Sequence, residues 1–503
     1  MTRSRLACAT TMALLLLGAC GPSTTQQDPI EVPDPEPAGT EEPVAEREPP
    51  PGSGPARDVS FPPLARATTD NGLEVNTVEW SQLPIVYVRL VIRSGAEADP
   101  SDTPGLAHLV GAMLKEGTRT RSSAELAERV EYLGADLWVS DDEENVHIGM
   151  RALSEHLDEA MEILADVAMN PAFRPDELRK LKRREIDRLA LRANDPGFLA
   201  ARALYAGLYG EHPYAHIDTT REVVERVARR DLQRWHRTHF VPNNAFLVVV
   251  GDTNAAEVQR VAGERFARWR AGEVPEVIYP DPPARESREV VLVDRPDSVQ
   301  SVIYIGNLAI PRSHEDYEEL EVANQVLGGS AASRLFMDLR ERRSLTYGAY
   351  SNVGESVKVA PFRASASVRN EVTGQAMDAF MEHLARIREQ AVPEAELRDA
   401  HRYLSDRFPL QIDTPGKIAS LVADLRIYGL ADDYWDGFRT AIRQVSAGEA
   451  QTAAREHMLP DRSLVVVVGR AADVAEPLRR WGPVRVIDVQ GRPVQELPAT
   501  AAE

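Results

Sequence analysis

Segments that recur at nearly one spacing constrain the fold of this 503-residue chain more than any other feature. The second copy of each segment follows the first by 212 to 217 residues, and the order of the segments is the same in both halves. The matched pairs are "SLVVVVGR" with "FLVVVGD", "TYGAYSNVGE" with "YLGADLWVSD", and "YEELEVANQVLGGS" with the helix that ends at Gly117. One such match would be weak, but the shared order indicates an internal duplication of about 215 residues.

Strand and helix patterns alternate within each repeat. Residues 83–95 and 245–252 have the β-branched runs of strands, and 135–153 indicates two strands joined by an acidic turn. Several strand pairs are too close in sequence for helical crossovers, which favours an α+β fold. We therefore predict two duplicated domains, each a mixed sheet with helices packed on one face.

The boundaries of the predicted domains follow from changes in composition. The N-terminal domain spans 61–273 and the C-terminal domain 290–490, followed by a tail at 491–503. The stretch 274–289 is rich in proline and acidic residues and forms the predicted linker.

The first 60 residues predict export rather than a fold. Residues 1–19 have a basic start and an apolar run, and "LGAC" ending at Cys20 resembles the bacterial lipobox, although an ordinary signal peptide is the alternative. Residues 20–60, rich in proline and glutamate, indicate a disordered acidic tether. We expect a lipidated Cys20 and a periplasm-facing lipoprotein, and Gly21 favours the outer membrane.

Charge and cysteine usage exclude several function classes. A formal net charge of -20 argues against nucleic-acid binding. The second cysteine, Cys8, lies in the predicted signal peptide. The mature chain would keep only Cys20, which excludes an internal disulfide, a cysteine zinc site and catalysis by a cysteine nucleophile.

Three motifs resemble one family. They are "RSGAEADPSDTPGLAHL" before residue 110, "SRLFMDLRERRSLTYGAYS" in the second repeat, and residues 212–252, which begin "HPYAHIDTT". Together they resemble the pitrilysin/insulinase zinc peptidases, most closely the short bacterial members related to the mitochondrial processing peptidase. The resemblance covers nearly all of the predicted folded body and implies that the two domains form half of a clamshell.

Active members of that family carry an inverted zinc motif, His-x-x-Glu-His, with a later glutamate as third ligand. This chain has "HLVGA" there: His108 matches the first ligand, while Gly111 replaces the general base and Ala112 the second histidine. Glu185, 73 residues after Ala112, falls at about the position of the third ligand. Glu116 lies one turn too far along the helix to replace the base. We therefore expect no complete metal site. His108 is either a remnant ligand or a helix histidine bonded to a neighbour. Glu185 is either a remnant ligand or an ordinary glutamate of a charged helix.

The second repeat preserves a different signature, Arg340 seven residues before Tyr347. The resemblance implies that these two residues reach across the chamber, bind the substrate backbone and stabilise the tetrahedral oxyanion. Arginine offers a permanent charge and tyrosine a hydroxyl donor. The alternative is that Arg340 pairs with acids on a solvated helix end and Tyr347 fills core.

Other features have a structural and a functional interpretation. The "ADLWVSDDEEN" segment matches the family's peptide-binding edge strand. Its acidic residues would favour basic peptides or form a solvated turn; they are Asp141, Asp142, Glu143 and Glu144. The pair His236 and His239 is expected to be surface polar rather than a zinc pair.

Two functions remain open. The first is a non-zinc-binding, Arg/Tyr-bearing subunit of a heterodimeric periplasmic zinc endopeptidase. It binds unfolded peptide with a paralogous partner that holds the zinc, and this chain itself binds no cofactor. The second is a catalytically inactive peptide-binding or scaffolding pseudopeptidase of the cell envelope. Beyond the partner and the peptide, the expected contact is the membrane, through the lipid anchor.

Overall fold

The computed structural model describes Gly54 and residues 59–500. Residues 1–19, Cys20 and most of the predicted tether lie outside the described residues. From residue 59 onward the described residues belong to one compact unit.

The first half contains six strands and eight helices, joined by turns and short 3₁₀ segments. The strands are β1 (Leu64–Thr68), β2 (Glu74–Glu79), β3 (Ile85–Ile92), β4 (Asp136–Asp141), β5 (Val146–Leu153) and β6 (Ala245–Gly251). The helices are α1 (Leu106–Leu114), α2 (Ser123–Tyr132), α3 (Leu157–Met169), α4 (Pro175–Arg192), α5 (Pro196–Tyr209), α6 (Arg221–Arg226), α7 (Arg229–His239) and α8 (Ala255–Arg265).

The second half repeats this pattern. Its strands are β7 (Glu289–Asp294), β8 (Gln300–Leu308), β9 (Thr346–Val353), β10 (Pro361–Arg369), β11 (Leu464–Gly469), β12 (Val484–Ile487) and β13 (Pro493–Leu497). Its helices are α9 (Tyr317–Leu327), α10 (Arg334–Phe336), α11 (Thr373–Glu389), α12 (Glu394–Asp406), α13 (Pro415–Ile427), α14 (Tyr434–Gln444), α15 (Ala447–His457) and α16 (Ala471–Leu478).

Each half builds one mixed sheet. The strand orders are β1-β2-β6-β3-β5-β4 and β13-β12-β7-β11-β8-β10-β9. The five strands from β2 to β4 in the first order correspond to those from β7 to β9 in the second. Equivalent elements begin 210 to 219 residues apart. The predicted duplication and α+β class are therefore confirmed.

Helices of the same half cover one face of each sheet, as expected. In the first half, α1 and α3 contribute Leu109, Met113 and Leu164 to a core that includes Val88 and Ile148 of the sheet. Burying one such side chain stabilises the fold by about 1.5–3 kcal/mol. The second half builds the same kind of core with α9 and α11.

The opposite face of each sheet is covered by a helix from the other half, which the sequence did not predict. Helix α13 places Ile418 and Val422 against Phe246 and Val248 of β6. Helix α5 places Leu204 against Val466 of β11. Because both faces of the central strands are covered, β6 and β11 are buried at every position and lack alternation.

The second sheet extends into the predicted tail, because β13 pairs antiparallel with β12 as its edge strand. The C-terminal domain therefore extends past residue 490, which corrects the boundary predicted there. The short segment Pro493–Leu497 is largely exposed. It carries little apolar periodicity that could have identified it as a strand.

No helix within the described part of the chain is both long and apolar enough to span a bilayer.

Candidate functional site: a degenerate zinc position and an exposed Arg–Tyr pair

Helix α1 positions His108, and its start is fixed by a half-buried carboxylate. Gly105 adopts a left-handed conformation (φ 86°) at the N-cap. Asp99 accepts hydrogen bonds from the backbone NH groups of Gly105, Leu106 and Ala107 at 2.7–2.8 Å. Burial raises the pKa of Asp99 to about 7 despite these bonds. The helix therefore enters at a fixed angle, with His108 on its half-exposed side.

His108 lies between two carboxylates. Its Nδ1 donates to Asp141 Oδ1 at 3.0 Å, and its Nε2 lies 3.3 Å from Glu185 Oε2 without the alignment of a hydrogen bond. The hydrogen bond to Asp141 and the contact with Glu185 raise the pKa of His108 to about 10, against an opposing effect of burial. At neutral pH the side chain is an imidazolium, which corresponds to a helix histidine bonded to its neighbours.

Glu185 is already engaged by Arg188. Arg188 Nε donates to its Oε2 at 2.6 Å, and the same guanidinium binds Asp218 in a bidentate manner at 2.8 and 3.1 Å. Arg192 adds a further bond to Asp218 at 2.7 Å. Burial alone would raise the pKa of Glu185, but His108 and Arg188 outweigh it and lower the pKa. Sequence reasoning missed Arg188 and Asp218; the three-residue spacing of Arg188 from Glu185 on one helix was the available signal.

The position of the missing base accepts a Cβ atom without a clash. A Cβ atom placed on Gly111 would lie 3.5 Å from Val139 Cγ1 and 3.8 Å from Asp141 Oδ1, which are ordinary contacts. Ala112 packs against the core of the first half. The backbone of α1 therefore does not require glycine here, and the helix persists without the base and the second histidine.

The side chains at this position do not fit a zinc ion. The two ring nitrogens of His108 face different carboxylates, and an arginine guanidinium occupies the side of Glu185 that faces Asp218. Among the described residues, this site does not bring three ligand atoms within 4.8 Å of one another. A cleft of about 430 Å³ beside His108 is lined by charged groups that include Asp141, Arg188 and Asp218.

The Arg340 and Tyr347 pair lies on the second half, at the start of the edge strand β9. A π-helical turn, Met337–Arg342, carries Arg340, and Ser344 adopts a left-handed conformation (φ 51°) before the strand. π-turns and strained non-glycine residues are frequent at functional sites. The Arg340 guanidinium stacks over the Phe336 ring at 4.8 Å.

Arg340 and Tyr347 contact each other through the backbone. Arg340 Nη1 donates to the carbonyl oxygen of Tyr347 at 3.2 Å, and its Nε lies 3.2 Å from the carboxylate of Glu341. The Tyr347 side chain is 89% exposed, so it does not fill core. The contacts of both side chains lie within the second half, and the structure describes none between this pair and His108.

The acidic turn between β4 and β5 is more ordered than a solvated turn. β4 is the edge strand of the first sheet, as expected. Asp142 accepts from His147 at 2.8 Å and from two backbone NH groups of the turn. Glu144 is buried and accepts from the Tyr214 hydroxyl and from the backbone NH of Val357 at 2.6 Å. The turn therefore contacts the second half instead of presenting four free acids.

A larger cavity, of about 770 Å³, lies between the halves and does not include His108, Arg340 or Tyr347. Three of the carboxyl groups that line it, those of Glu144, Glu321 and Asp424, have a pKa raised to about 7 by burial. The chemistry of the degenerate zinc position and of the Arg–Tyr pair is thus separate from this space.

His236 and His239 are buried, so the expectation of surface polar residues is wrong. His236 Nε2 donates to the carbonyl oxygen of Ala168 at 2.7 Å, and His239 Nδ1 contacts Ser94 Oγ at 3.0 Å. Burial lowers the pKa of each histidine to about 4. Helix α7 turns this face to the core, a placement that the two histidines alone did not indicate.

Comparisons with known proteins identify the family of this fold. A family model described as insulinase (peptidase family M16) matches residues 75–215, and one described as the peptidase M16 inactive domain matches residues 226–404. An uncharacterized zinc protease of Mycobacterium leprae is 25% identical over 347 residues, which cover 67% of this chain and 76% of that protein. A Helicobacter pylori protein called a non-peptidase homolog is 24% identical over 396 residues, covering 78% and 90%.

Solved structures share the fold. The crystal structure of a peptidase M16 inactive domain from Pseudomonas fluorescens superposes with a TM-score of 0.77 at 26% identity, covering 81% of this chain and 98% of that one. A protease from Helicobacter pylori gives a TM-score of 0.76 at 18% identity, covering 81% and 99%. The chain therefore belongs to the peptidase M16 (insulinase) family, as a member in which only His108 stands at its expected place in the His-x-x-Glu-His motif.

Proposed function

We propose that this chain is a non-zinc-binding subunit whose Arg340 and Tyr347 complete the active site of a zinc-bearing paralogue. The observation that carries the proposal is the contrast between two places in one molecule. The zinc position is neutralised internally by His108 and Arg188, whereas Tyr347 projects into solvent with no partner for its hydroxyl among the described residues. A large exposed tyrosine on an ordered strand suits contact with something outside this chain.

The chemistry of the Arg340–Tyr347 pair suits a developing negative charge. The carbonyl oxygen of Tyr347 holds one end of the Arg340 guanidinium, so less side-chain entropy is lost when the remaining donors bind. A tyrosine hydroxyl and a guanidinium can both donate to the oxyanion of a tetrahedral intermediate. The partner's zinc would supply the hydrolytic chemistry, and this chain would orient the peptide and stabilise the developing negative charge.

The setting we propose is the cell envelope. Cys20 would carry the lipid, and the acidic, proline-rich segment after it would hold the two-domain body away from the membrane. Export of the chain and globomycin-sensitive processing at Cys20, measured in the native bacterium, would test this part separately.

A mixing experiment tests the enzymatic role. The purified chain, a paralogue with an intact His-x-x-Glu-His motif, and their mixture are assayed on unfolded peptides. We expect hydrolysis that is strong only in the mixture and that falls when Arg340→Ala replaces the wild type. A Glu341→Ala variant, which removes the neighbouring carboxylate but no donor, is the matched control and should remain active. An inert mixture, or one indifferent to Arg340→Ala, would contradict the proposal.

The second candidate is a peptide-binding pseudopeptidase without hydrolysis. It is favoured by the free edge of β4, which offers unpaired backbone groups for β-augmentation beside the acidic turn. It predicts that the chain alone binds extended basic peptides and that a chelator does not change the affinity. Fluorescence anisotropy with a labelled peptide measures this, and a Val139→Pro variant in β4 should abolish binding.

A further inference from the structure

A histidine–aspartate–histidine cluster in the second half lies far in sequence from the degenerate zinc position. His314 lies in the loop before helix α9, and Asp316 is the N-cap residue of that helix. His457 is the last residue of helix α15. One ligand atom of each side chain lies within 4.8 Å of those of the other two. All three side chains are partly exposed, so an ion from solution can reach them.

The spacing is close to that of a tetrahedral zinc site. Zinc bonds to nitrogen and oxygen measure about 2.0–2.1 Å, which separates neighbouring ligand atoms by roughly 3.3 Å. Asp316 Oδ2 lies 2.7 Å from His457 Nε2 and 3.8 Å from His314 Nδ1, so the observed separations bracket that value. The two imidazole rings have centroids 5.5 Å apart and are nearly perpendicular. Small side-chain rotations would bring all three ligand atoms onto one ion.

Asp316 does not perform the usual task of a residue at its position. It occupies the N-cap of α9, where an aspartate normally accepts hydrogen bonds from the first turn, but its side chain makes no cap bond. In the duplicated first half, Asp99 holds the start of α1 with three such bonds. The carboxylate of Asp316 instead faces the two histidines.

Several carboxyl groups lie near the cluster. Glu319, one turn into α9, has a buried Oε2 with no hydrogen-bond partner. Burial and the nearby charges of Glu318, Asp316 and Glu449 raise its pKa. A divalent cation bound at Asp316 would relieve this repulsion.

We infer that His314, Asp316 and His457 bind a divalent transition-metal ion, with Zn²⁺ or Co²⁺ as the suitable class. Two imidazoles and one carboxylate form a ligand set that such ions prefer. Binding of the ion would replace the hydrogen bond between His457 Nε2 and Asp316 Oδ2. It would also replace the hydrogen bond of 3.1 Å that His314 Nδ1 accepts from the backbone NH of Asp316. Three protein ligands leave at least one position for water or for a group from another molecule. This site departs from the expectation that the chain binds no metal, and it is independent of the proposed peptidase role.

The test is a Co²⁺ and Zn²⁺ titration of the full chain after treatment with a chelator. We expect one equivalent to bind, with the visible absorption of a Co²⁺–imidazole site and a rise of a few degrees in Tm. His457→Ala and, independently, His314→Ala should weaken binding by more than about 100-fold. The Tm of each variant without metal shows whether it folds; His314 lies in the loop before α9, outside the helices and strands.

Two matched controls locate the ion. His216→Ala removes an exposed histidine of the first half, and His108→Ala removes the remnant of the family motif; both should bind metal as the wild type does. Absence of binding to the wild type overturns the inference. So does binding that survives both His314→Ala and His457→Ala, or binding that His108→Ala abolishes.

Discussion

Replacing His108 should destabilise the protein in a manner that depends on pH. In the folded state, Asp141 and Glu185 raise its pKa to about 10 from an ordinary value of 6.5. Because the folded pKa is the higher one, the stabilisation is complete below about pH 6.5 and is lost as the pH rises through 10. Each pH unit of this difference corresponds to about 1.4 kcal/mol, or roughly 5 kcal/mol if it were fully expressed. Since 34% of the side chain is exposed, solvent screening reduces the expected contribution to about 2 kcal/mol.

The assay is urea unfolding of the wild type and of His108→Gln, which preserves much of the size and the polarity but not the charge. At pH 6 we expect the free energy of unfolding to differ by about 2 kcal/mol, and at pH 10.5 by less than about 0.5 kcal/mol. His216→Gln, an exposed histidine substitution, should show no such trend. A difference that is the same at both pH values, or one that grows with pH, would refute the assignment of His108 as a cation paired with Asp141 and Glu185.

Three further outcomes follow from the structure. Burial lowers the pKa of His236 and His239 to about 4, so the stability that these neutral histidines contribute is complete above pH 6.5 and is lost as the pH falls towards 4. The free energy of unfolding should therefore be about 2 kcal/mol lower per histidine at pH 4.5 than at pH 7. A His239→Gln variant should lose part of this pH dependence. The double variant Gly111→Glu with Ala112→His should bind one equivalent of Zn²⁺ more than the wild type in a chelator competition, whereas no additional equivalent would mean that the scaffold has lost more than those two side chains. Gly328→Ala should lower the free energy of unfolding by about 1–3 kcal/mol in urea titration, because its Cβ would lie 2.4 Å from the backbone of β9, and an unchanged midpoint would contradict that packing.

Much of the fold followed from periodicity and repetition. The strands near Ile85–Ile92 and Ala245–Gly251 and the equivalence of the halves were predictable, because buried β-branched runs recur in the same order. The packing of α5 and α13 against the sheet of the other half was not predictable, since an apolar helix stripe does not identify which sheet the helix will cover. The edge strand Pro493–Leu497 was missed because its side chains are mostly exposed.

The candidate site was also predictable only in part. The losses at Gly111 and Ala112 could be read directly from a motif whose spacing is strict. The pairing of His108 with Asp141 depends on β4 crossing beside α1, a contact that no local pattern encodes. Tyr347 had two interpretations in the sequence, substrate binding or filling core, and its exposure excludes the second.

The most direct test of the central proposal is the turnover number of a mixture of this chain with a zinc-bearing paralogue, using wild type and Tyr347→Phe at saturating subunit concentration. We predict that kcat falls by about 10²- to 10³-fold with Tyr347→Phe, while the Kd between subunits and the free energy of unfolding remain unchanged. Equal kcat values in an active mixture would contradict it. Chelator-sensitive peptide hydrolysis by this chain alone would do so as well.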